Sequence, residues 1–382
     1  MSIVLYGISA IFLLGYCGLL FYYTYSWHKL SSFSVNESFV PPTTRITIII
    51  PARNEAKNIG ACLDSILIQN YPSPLLQVLV MNDHSTDDTE AIVHTFSDRN
   101  VQVINLSDHI KTPINSYKKA AIDLAMQFAT GHLIVATDAD CITPKKWLHT
   151  IAAFHEKEKP AFIAMPVAYK NCRSFIEIFQ ELDFMSLQGI TGAAIQSKSY
   201  GMCNGANLAY EKSAFTSVNG FENINEIASG DDMMLMHKIT KMFPDRIAFL
   251  KSKDVIVQTS AMPTIGRFFQ QRIRWASKAD KYDNNSITAV LFFLYFFHVW
   301  LLVLFIYGLI SWNLDVFGLL GLLIIVKTIA ELVFLTTVAQ FFDKGKKLFL
   351  FPFAQPLHII YTLVAGWLGK FGSYSWKGRQ VR

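Results

Sequence analysis

The sequence predicts an α/β block built on a mostly parallel sheet and flanked by transmembrane helices. Three observations carry this. Pro41 to Lys281 holds the ordinary charge mix of a folded domain, whereas Ser2–Tyr25 and Ser286–Leu314 contain no Asp, Glu, Lys or Arg. Inside the block, β-branched runs alternate with amphipathic stretches, the rhythm of parallel strands joined by crossover helices. Two acidic clusters, Asp138-Ala139-Asp140 and Asp231-Asp232, fall within that block.

Residues 3–24 form an apolar run of a length that crosses a hydrocarbon core as a helix. A cleaved signal peptide would have a basic start and a shorter apolar stretch. The start here is Met1-Ser2-Ile3-Val4, so residues 1–28 are expected to be an uncleaved anchor. Lys29 is the nearest basic residue after the run, which places the following block on the cytoplasmic side of the inner membrane.

Arg45–Pro51 reads as a buried parallel strand ended by a proline. An amphipathic helix is expected from about Ala56 to Gln69, then a strand at Gln77–Met81. Asn82–Thr89 is rich in turn formers and helix caps and precedes a helix ending near Phe96. A strand at Val101–Leu106, a helix at Asn115–Ala129 and a strand at Leu133–Ala136 follow. Ligands of such sheets bind at the carboxyl ends of the strands. Asn54, Asp83 and Asp138 all fall just past strand ends.

The membrane region is expected at 286–370, with spans at Ser286–Ile310 and Phe317–Ala339. Lys327 and Glu331 sit four residues apart in the second of these, where charges must be paired or face protein. They either touch a lipid head group or lock helices together. Leu348–Gly369 either crosses or re-enters, because Pro352, Gln355, Pro356 and His358 crowd its first half. A basic tail, 371–382, carries Lys377, Arg379 and Arg382.

Composition narrows the function. The net charge of +5 and the lack of a basic stripe interleaved with aromatics argue against nucleic acid as a partner. Five cysteines without a CxxC pattern argue against a disulfide framework or structural zinc. No G-x-G-x-x-G follows the first strand and no P-loop motif occurs. No protein partner is evident.

Asp138-Ala139-Asp140 follows a hydrophobic strand, and its hard oxygen ligands suit Mg²⁺ or Mn²⁺ together with substrate phosphates. Asp231-Asp232 opens a helix-like stretch, where a carboxylate can accept a hydroxyl proton or simply complement the helix dipole. Asn204-Gly205-Ala206-Asn207 is a polar turn suited to the acceptor side. Gln271, Arg274 and Trp275 lie just before a membrane span, and on a helix Gln271 shares a face with both others. Arg272 and Arg274 offer planar donors to phosphate. Lys118 and Lys119 open a helix and either approach a diphosphate or solvate a surface.

In this order the motifs resemble the inverting family-2 glycosyltransferases of the GT-A fold, which include cellulose and hyaluronan synthases and smaller membrane-attached relatives. The resemblance covers residues 40–285 and the flanking helices. It implies that Pro51, Asn54 and Glu55 form the first nucleotide-binding loop and that Asp83 contacts the base. It implies donor contacts from Asp138, Gln271, Arg274 and Trp275, with Asp140 as the metal ligand; Lys119 joins the expected donor set on its position alone. Asp232 is the implied general base, with Asn204, Gly205, Asn207, Asp231 and Trp275 on the acceptor side. Asp231 departs from the usual Glu and reaches less far. The implied reaction moves a sugar from a UDP-sugar to a lipid-linked or glycolipid acceptor at the bilayer. The rivals are a processive polysaccharide synthase, a polyprenyl-phosphate glycosyltransferase, and a non-catalytic membrane interaction or transport protein.

Overall fold

The computed structural model describes residues 2–35, 41–112, 114–227, 230–278 and 285–372, and the backbone of 374–376 and 379–381. Lys281, Lys377 and Arg382, invoked above for the block boundary and the basic tail, lie outside the described residues.

The strands are β1 (Ile46–Ala52), β2 (Leu76–Asn82), β3 (Val101–Asn105), β4 (Leu133–Ala136), β5 (Phe162–Ala164), β6 (Val167–Lys170), β7 (Leu208–Glu211), β8 (Ile247–Phe249) and β9 (Val257–Ser260). The main sheet has the order β3-β2-β1-β4-β7-β5-β8. β1 pairs in parallel with both β2 and β4, as do β2 with β3 and β5 with β8; β7 runs antiparallel to β4 and β5. Strands buried on both faces need continuous apolar runs, and Ile46, Ile48, Ile49 and Ile50 are fully buried. β6 and β9 form a separate parallel pair beside the pocket described below.

The helices are α1 (Ser2–Lys29), α2 (Ile59–Leu67), α3 (Thr89–His94), α4 (Leu106–His109), α5 (Tyr117–Phe128), α6 (Trp147–Glu158), α7 (Phe175–Gln196), α8 (Lys212–Ser217) and α9 (Asp231–Met242). After them come α10 (Ile265–Ala276), α11 (Asn285–Ser311), α12 (Leu314–Phe341) and α13 (Phe351–Phe371). α2 is shorter than the expected 56–69 because Glu55 Oε2 accepts from Asn58 Nδ2, and 56–58 form a turn. The expected strand 101–106 stops at Asn105, since Leu106 turns into α4.

Among the described residues, four helical stretches are long and apolar enough to cross a membrane: Ile3–Lys29, Ser286–Ser311, Leu314–Phe341 and Gly345–Phe371. In the last, Pro352 sits in the first turn of α13, where its missing N–H costs nothing, and Pro356 lies inside the helix. Lys327 and Glu331 are paired at 2.6 Å, and Gln355 of α13 bonds both. Tyr16 of α1 donates to Glu331 as well. The charges lock three helices together, and Lys327 has no exposed surface.

α7 docks the sheet onto these helices. Cβ atoms at Gly189 and Gly192 would lie 2.5 Å from Val338 and 2.7 Å from Trp27, so only glycine admits this approach. Trp27 is buried against Phe249 of β8 and Phe341 of α12, with Lys251 Nζ 4.2 Å from its ring centroid.

Candidate active site

The carboxyl ends of β1, β2 and β4 open into a pocket of about 310 Å³. Its sheet-side wall comprises Pro51, Arg53, Glu55, Asp83, Asp138 and Asp140. Register explains the convergence: Pro51 is level with Met81 and Ile49 with Ala136, so the three strands end side by side. The loops that follow are laced together. Arg53 Nη1 donates to the Asp83 carbonyl at 2.9 Å and lies 3.8 Å from its carboxylate. Glu55 N donates to Thr89 Oγ1 at 2.8 Å. His84 Nδ1 stands 3.0 Å from Asp83 Oδ1.

Asn54, expected in the nucleotide-binding set, does not line the pocket. It is exposed, takes a left-handed backbone (φ 51°) and accepts from Thr86 N at 2.8 Å. Its amide stabilises the loop from behind, and it is absent from the pocket wall.

The two acidic clusters meet across Lys118. Its Nζ donates to Asp138 Oδ1 at 2.9 Å and lies 3.4 Å from Asp231 Oδ2. Burial alone would lower its pKa, but Asp138, Asp231 and Asp232 outweigh burial and hold it above the ordinary lysine value. Asp232 is the second residue of α9, whose N-cap Gly230 has a φ of +81° that suits glycine. Its two oxygens accept from Gly205 N and Met233 N, each at 2.8 Å. Gly205 is closely approached: a Cβ would sit 3.0 Å from Lys118 Nζ and 3.4 Å from Asp231 Oδ2, so a side chain there would press on the lysine. Asn204 folds back to accept from Ala206 N at 2.9 Å and also lines the pocket.

Lys119 points the other way. Its Nζ donates to the carbonyls of Ile224 and Ile227, both at 2.7 Å, so it anchors the segment leading to α9 and does not face the pocket. Burial is the main cause that lowers its pKa to about 8. Of the two neighbouring lysines, Lys118 lines the pocket and Lys119 does not. Asn207 is likewise a core residue. It is fully buried, donates to the Pro166 and Val255 carbonyls at 2.8 and 2.7 Å, and accepts from Trp147 Nε1 at 3.0 Å.

Asp140 lies deeper, with Oδ2 accepting from Thr259 Oγ1 at 3.2 Å. The third wall comes from α10, which presents Gln271, Arg274 and Trp275 as expected, with Lys278 just beyond. Burial lowers the Lys278 pKa, Asp232 opposes that, and Arg274 adds to it. Arg272 is not a phosphate donor. It is buried against Asp183 of α7, with Nη2 2.6 Å from Oδ2. Residues that sequence reasoning missed also line the pocket, among them Tyr169, Thr259 and Lys278. A signal existed for Lys278, four residues after Arg274 and so on the same face of a continuing helix. Tyr169 and Thr259 arrive on β6 and β9, which carried no motif.

The profile of glycosyl transferase family group 2 matches residues 133–368, more than half of the chain, and that of glycosyl transferase family 2 matches residues 47–218. The chain belongs to glycosyl transferase family group 2. It is 32% identical over 105 residues to glycosyltransferase AglE of Haloferax volcanii, covering 27% of this chain and 33% of that one. It is 46% identical over 63 residues to 4,4'-diaponeurosporenoate glycosyltransferase of Staphylococcus aureus, 16% of each chain. The matched stretches thus span a third or less of these curated relatives. The fold is similar to that of the mannosyltransferase PcManGT from Pyrobaculum calidifontis, solved with GDP-Man and Mn²⁺ (TM-score 0.59, 19% identity, 96% of this chain and 98% of that one). At that identity the likeness is one of architecture: a GT-A-like α/β domain with long apolar helices.

Proposed function

We propose that the protein is a metal-dependent, inverting glycosyltransferase that moves a sugar from a nucleotide-sugar donor, a UDP-sugar in the first instance, to a hydroxyl of a lipid-linked or glycolipid acceptor. One observation carries this: Asp138, Asp140 and Asp232 line a single pocket whose third wall is the helix leading into the membrane segments. A sheet-edge site alone would serve a soluble acceptor equally well.

The donor set fits a divalent ion that arrives with its substrate. No group of three or more His, Cys, Asp or Glu residues with metal-holding geometry occurs among the described residues. Mg²⁺ and Mn²⁺ in nucleotide sites are held by one or two carboxylates, with phosphate oxygens and water completing the shell. Asp140 is the residue that would hold it, and when bound it supplies charge neutralisation for the diphosphate.

The remaining roles belong to the chain itself. Asp83 and the Pro51–Glu55 loop bind the nucleotide, with Arg53 fixing the loop against Asp83. Lys118 and Arg274 offer positive charge to the diphosphate. Asp232 accepts the acceptor hydroxyl's proton as the oxygen bonds to the anomeric carbon and the bond to the diphosphate breaks on the opposite face. Two backbone N–H groups hold its carboxylate in place while leaving lone pairs for that proton. A single displacement inverts the anomeric centre. Lys29 after the first apolar run supports a reading in which the domain faces the cytoplasmic side of the inner membrane and serves cell-envelope glycan synthesis. Kinship to the cellulose and hyaluronan synthases is confined to these motifs. The four apolar helices among the described residues offer little wall for a polymer channel, which sets the processive synthase second.

The test is incubation of membranes holding the full chain with radiolabelled UDP- and GDP-sugars, with Mn²⁺ or with EDTA, followed by lipid and polymer fractionation. Both nucleotide series belong in the assay because the similar structure from Pyrobaculum calidifontis carries GDP-Man. Label in the lipid fraction that EDTA abolishes is expected. Label in long polymer favours the processive reading, and label in neither fraction contradicts glycosyl transfer.

A further inference from the structure

Arg272 touches two pocket-lining side chains without lining the pocket. Its Nη1 donates to Gln271 Oε1 at 2.7 Å, and its guanidinium carbon lies 4.3 Å from the Trp275 ring centroid. The opposite edge of the guanidinium is held by one carboxylate oxygen: Nε and Nη2 donate to Asp183 Oδ2 at 3.1 and 2.6 Å. Asp183 spends its second oxygen on α13, where Oδ1 accepts from Tyr361 OH at 2.5 Å. A continuous polar chain therefore runs from an apolar, membrane-length helix to Gln271 and Trp275. Both charged side chains are 4% exposed, so the pair is shielded from solvent competition.

The packing around this chain is built for the same register. Tyr361 meets the ring of Phe268 from α10 at 5.3 Å and that of Phe179 from α7 at 5.8 Å, both edge-on. Further along, α13 approaches the end of α10 so closely that a Cβ on Gly369 would lie 2.7 Å from the Ala276 Cβ. Two separate contacts thus couple the same pair of helices, one polar and one steric.

We propose that Arg272 is a positioning residue, and that the Tyr361–Asp183–Arg272 chain sets Gln271 and Trp275 over the pocket from helix α13. This rests on the glycosyltransferase reading for its kinetic consequence but not for its structural one. A planar guanidinium is needed because it must donate to Asp183 and Gln271 at once while stacking on Trp275; a lysine keeps the charge and loses the fork. The nucleotide-facing groups on β1, β2 and β4 are supported separately and α10 adds only Arg274 to them, so donor affinity is expected to change less than turnover.

The experiment uses the full chain in detergent or membranes with Tyr361→Phe and Arg272→Lys. Turnover, nucleotide Kd and amide hydrogen exchange are measured for each. Tyr361→Phe removes one hydroxyl and leaves the ring packing. It should lower kcat about two- to tenfold, the scale of one hydrogen bond, with nucleotide Kd within about twofold. Exchange across residues 265–276 should accelerate while β1, β2 and β4 keep their protection. Arg272→Lys should give the larger loss and should not rescue the exchange. Unchanged exchange at 265–276 in both variants overturns the proposal whatever the activity. Parallel loss of nucleotide affinity, melting temperature and sheet protection in both also overturns it, as a general structural role. If the wild-type chain transfers no sugar, the functional reading falls, and the exchange data still decide the coupling.

Discussion

The two acidic clusters reach the same pocket by different construction. Asp138 and Asp140 follow β4, a strand buried on both faces and paired on both edges. Asp231 and Asp232 begin a helix that follows an irregular segment, and they are held by individual contacts: Lys118, Gly205 N and Met233 N. A cluster built on the sheet tolerates the loss of a neighbouring polar contact, because the backbone is fixed by the core. A cluster built at a helix end depends on each contact. That difference suits a donor side that binds one nucleotide and an acceptor side that must position a hydroxyl.

The comparison breaks first at Asp232. Asp232→Asn keeps the shape and removes the proton acceptor, so transfer should fall by about 10²–10⁴-fold in single-turnover assays, the usual weight of a general base. Wild-type turnover would remove Asp232 from the chemistry. Lys118→Met comes next, because it leaves Asp138 and Asp231 without their shared counter-charge; charge-assisted bonds contribute about 1.5–3 kcal/mol. Turnover should fall about 10- to 100-fold by that conversion, and it should fall much further than for Lys119→Met. Equal losses in the two variants would return Lys119 to the diphosphate.

Asn207→Ala should act on folding instead. It strands Trp147 Nε1 and two buried carbonyls, a cost of about 1–3 kcal/mol per unsatisfied group. A lowered melting temperature with near-normal turnover in the folded fraction is expected, and a selective loss of acceptor use would contradict the core assignment. Asn54→Ala is the mildest change. It removes one exposed loop tie, worth about 0.5–1.5 kcal/mol, and should raise the nucleotide Kd by no more than about tenfold.

Sequence reading located the first four strands along the chain and the elements that bear the acids. Those features follow from periodicity, which is insensitive to the exact residue. What it missed follows from orientation. Lys118 and Lys119 are neighbours, but successive helix positions point about 100° apart, and only Lys118 turns into the cleft. Arg272 and Arg274 lie two apart and take opposite roles for the same reason, one buried against Asp183 and one in the pocket wall. Asn204 and Asn207 share a turn, yet the indole of Trp147 draws the second into the core. Tyr169 and Thr259 were illegible because β6 and β9 form a small sheet that no local pattern announces. The pairing of Lys327 with Glu331 was legible from spacing; their third and fourth partners, Gln355 and Tyr16, were not, since these come from distant helices.

The most direct test of the division between the clusters is Mn²⁺-dependent nucleotide binding by calorimetry, run side by side on Asp140→Asn and Asp232→Asn. Asp232→Asn should bind as the wild type does, whereas Asp140→Asn should lose the increment that Mn²⁺ adds. Equal weakening in the two variants, or an increment preserved in Asp140→Asn, would contradict the assignment of donor and acceptor sides.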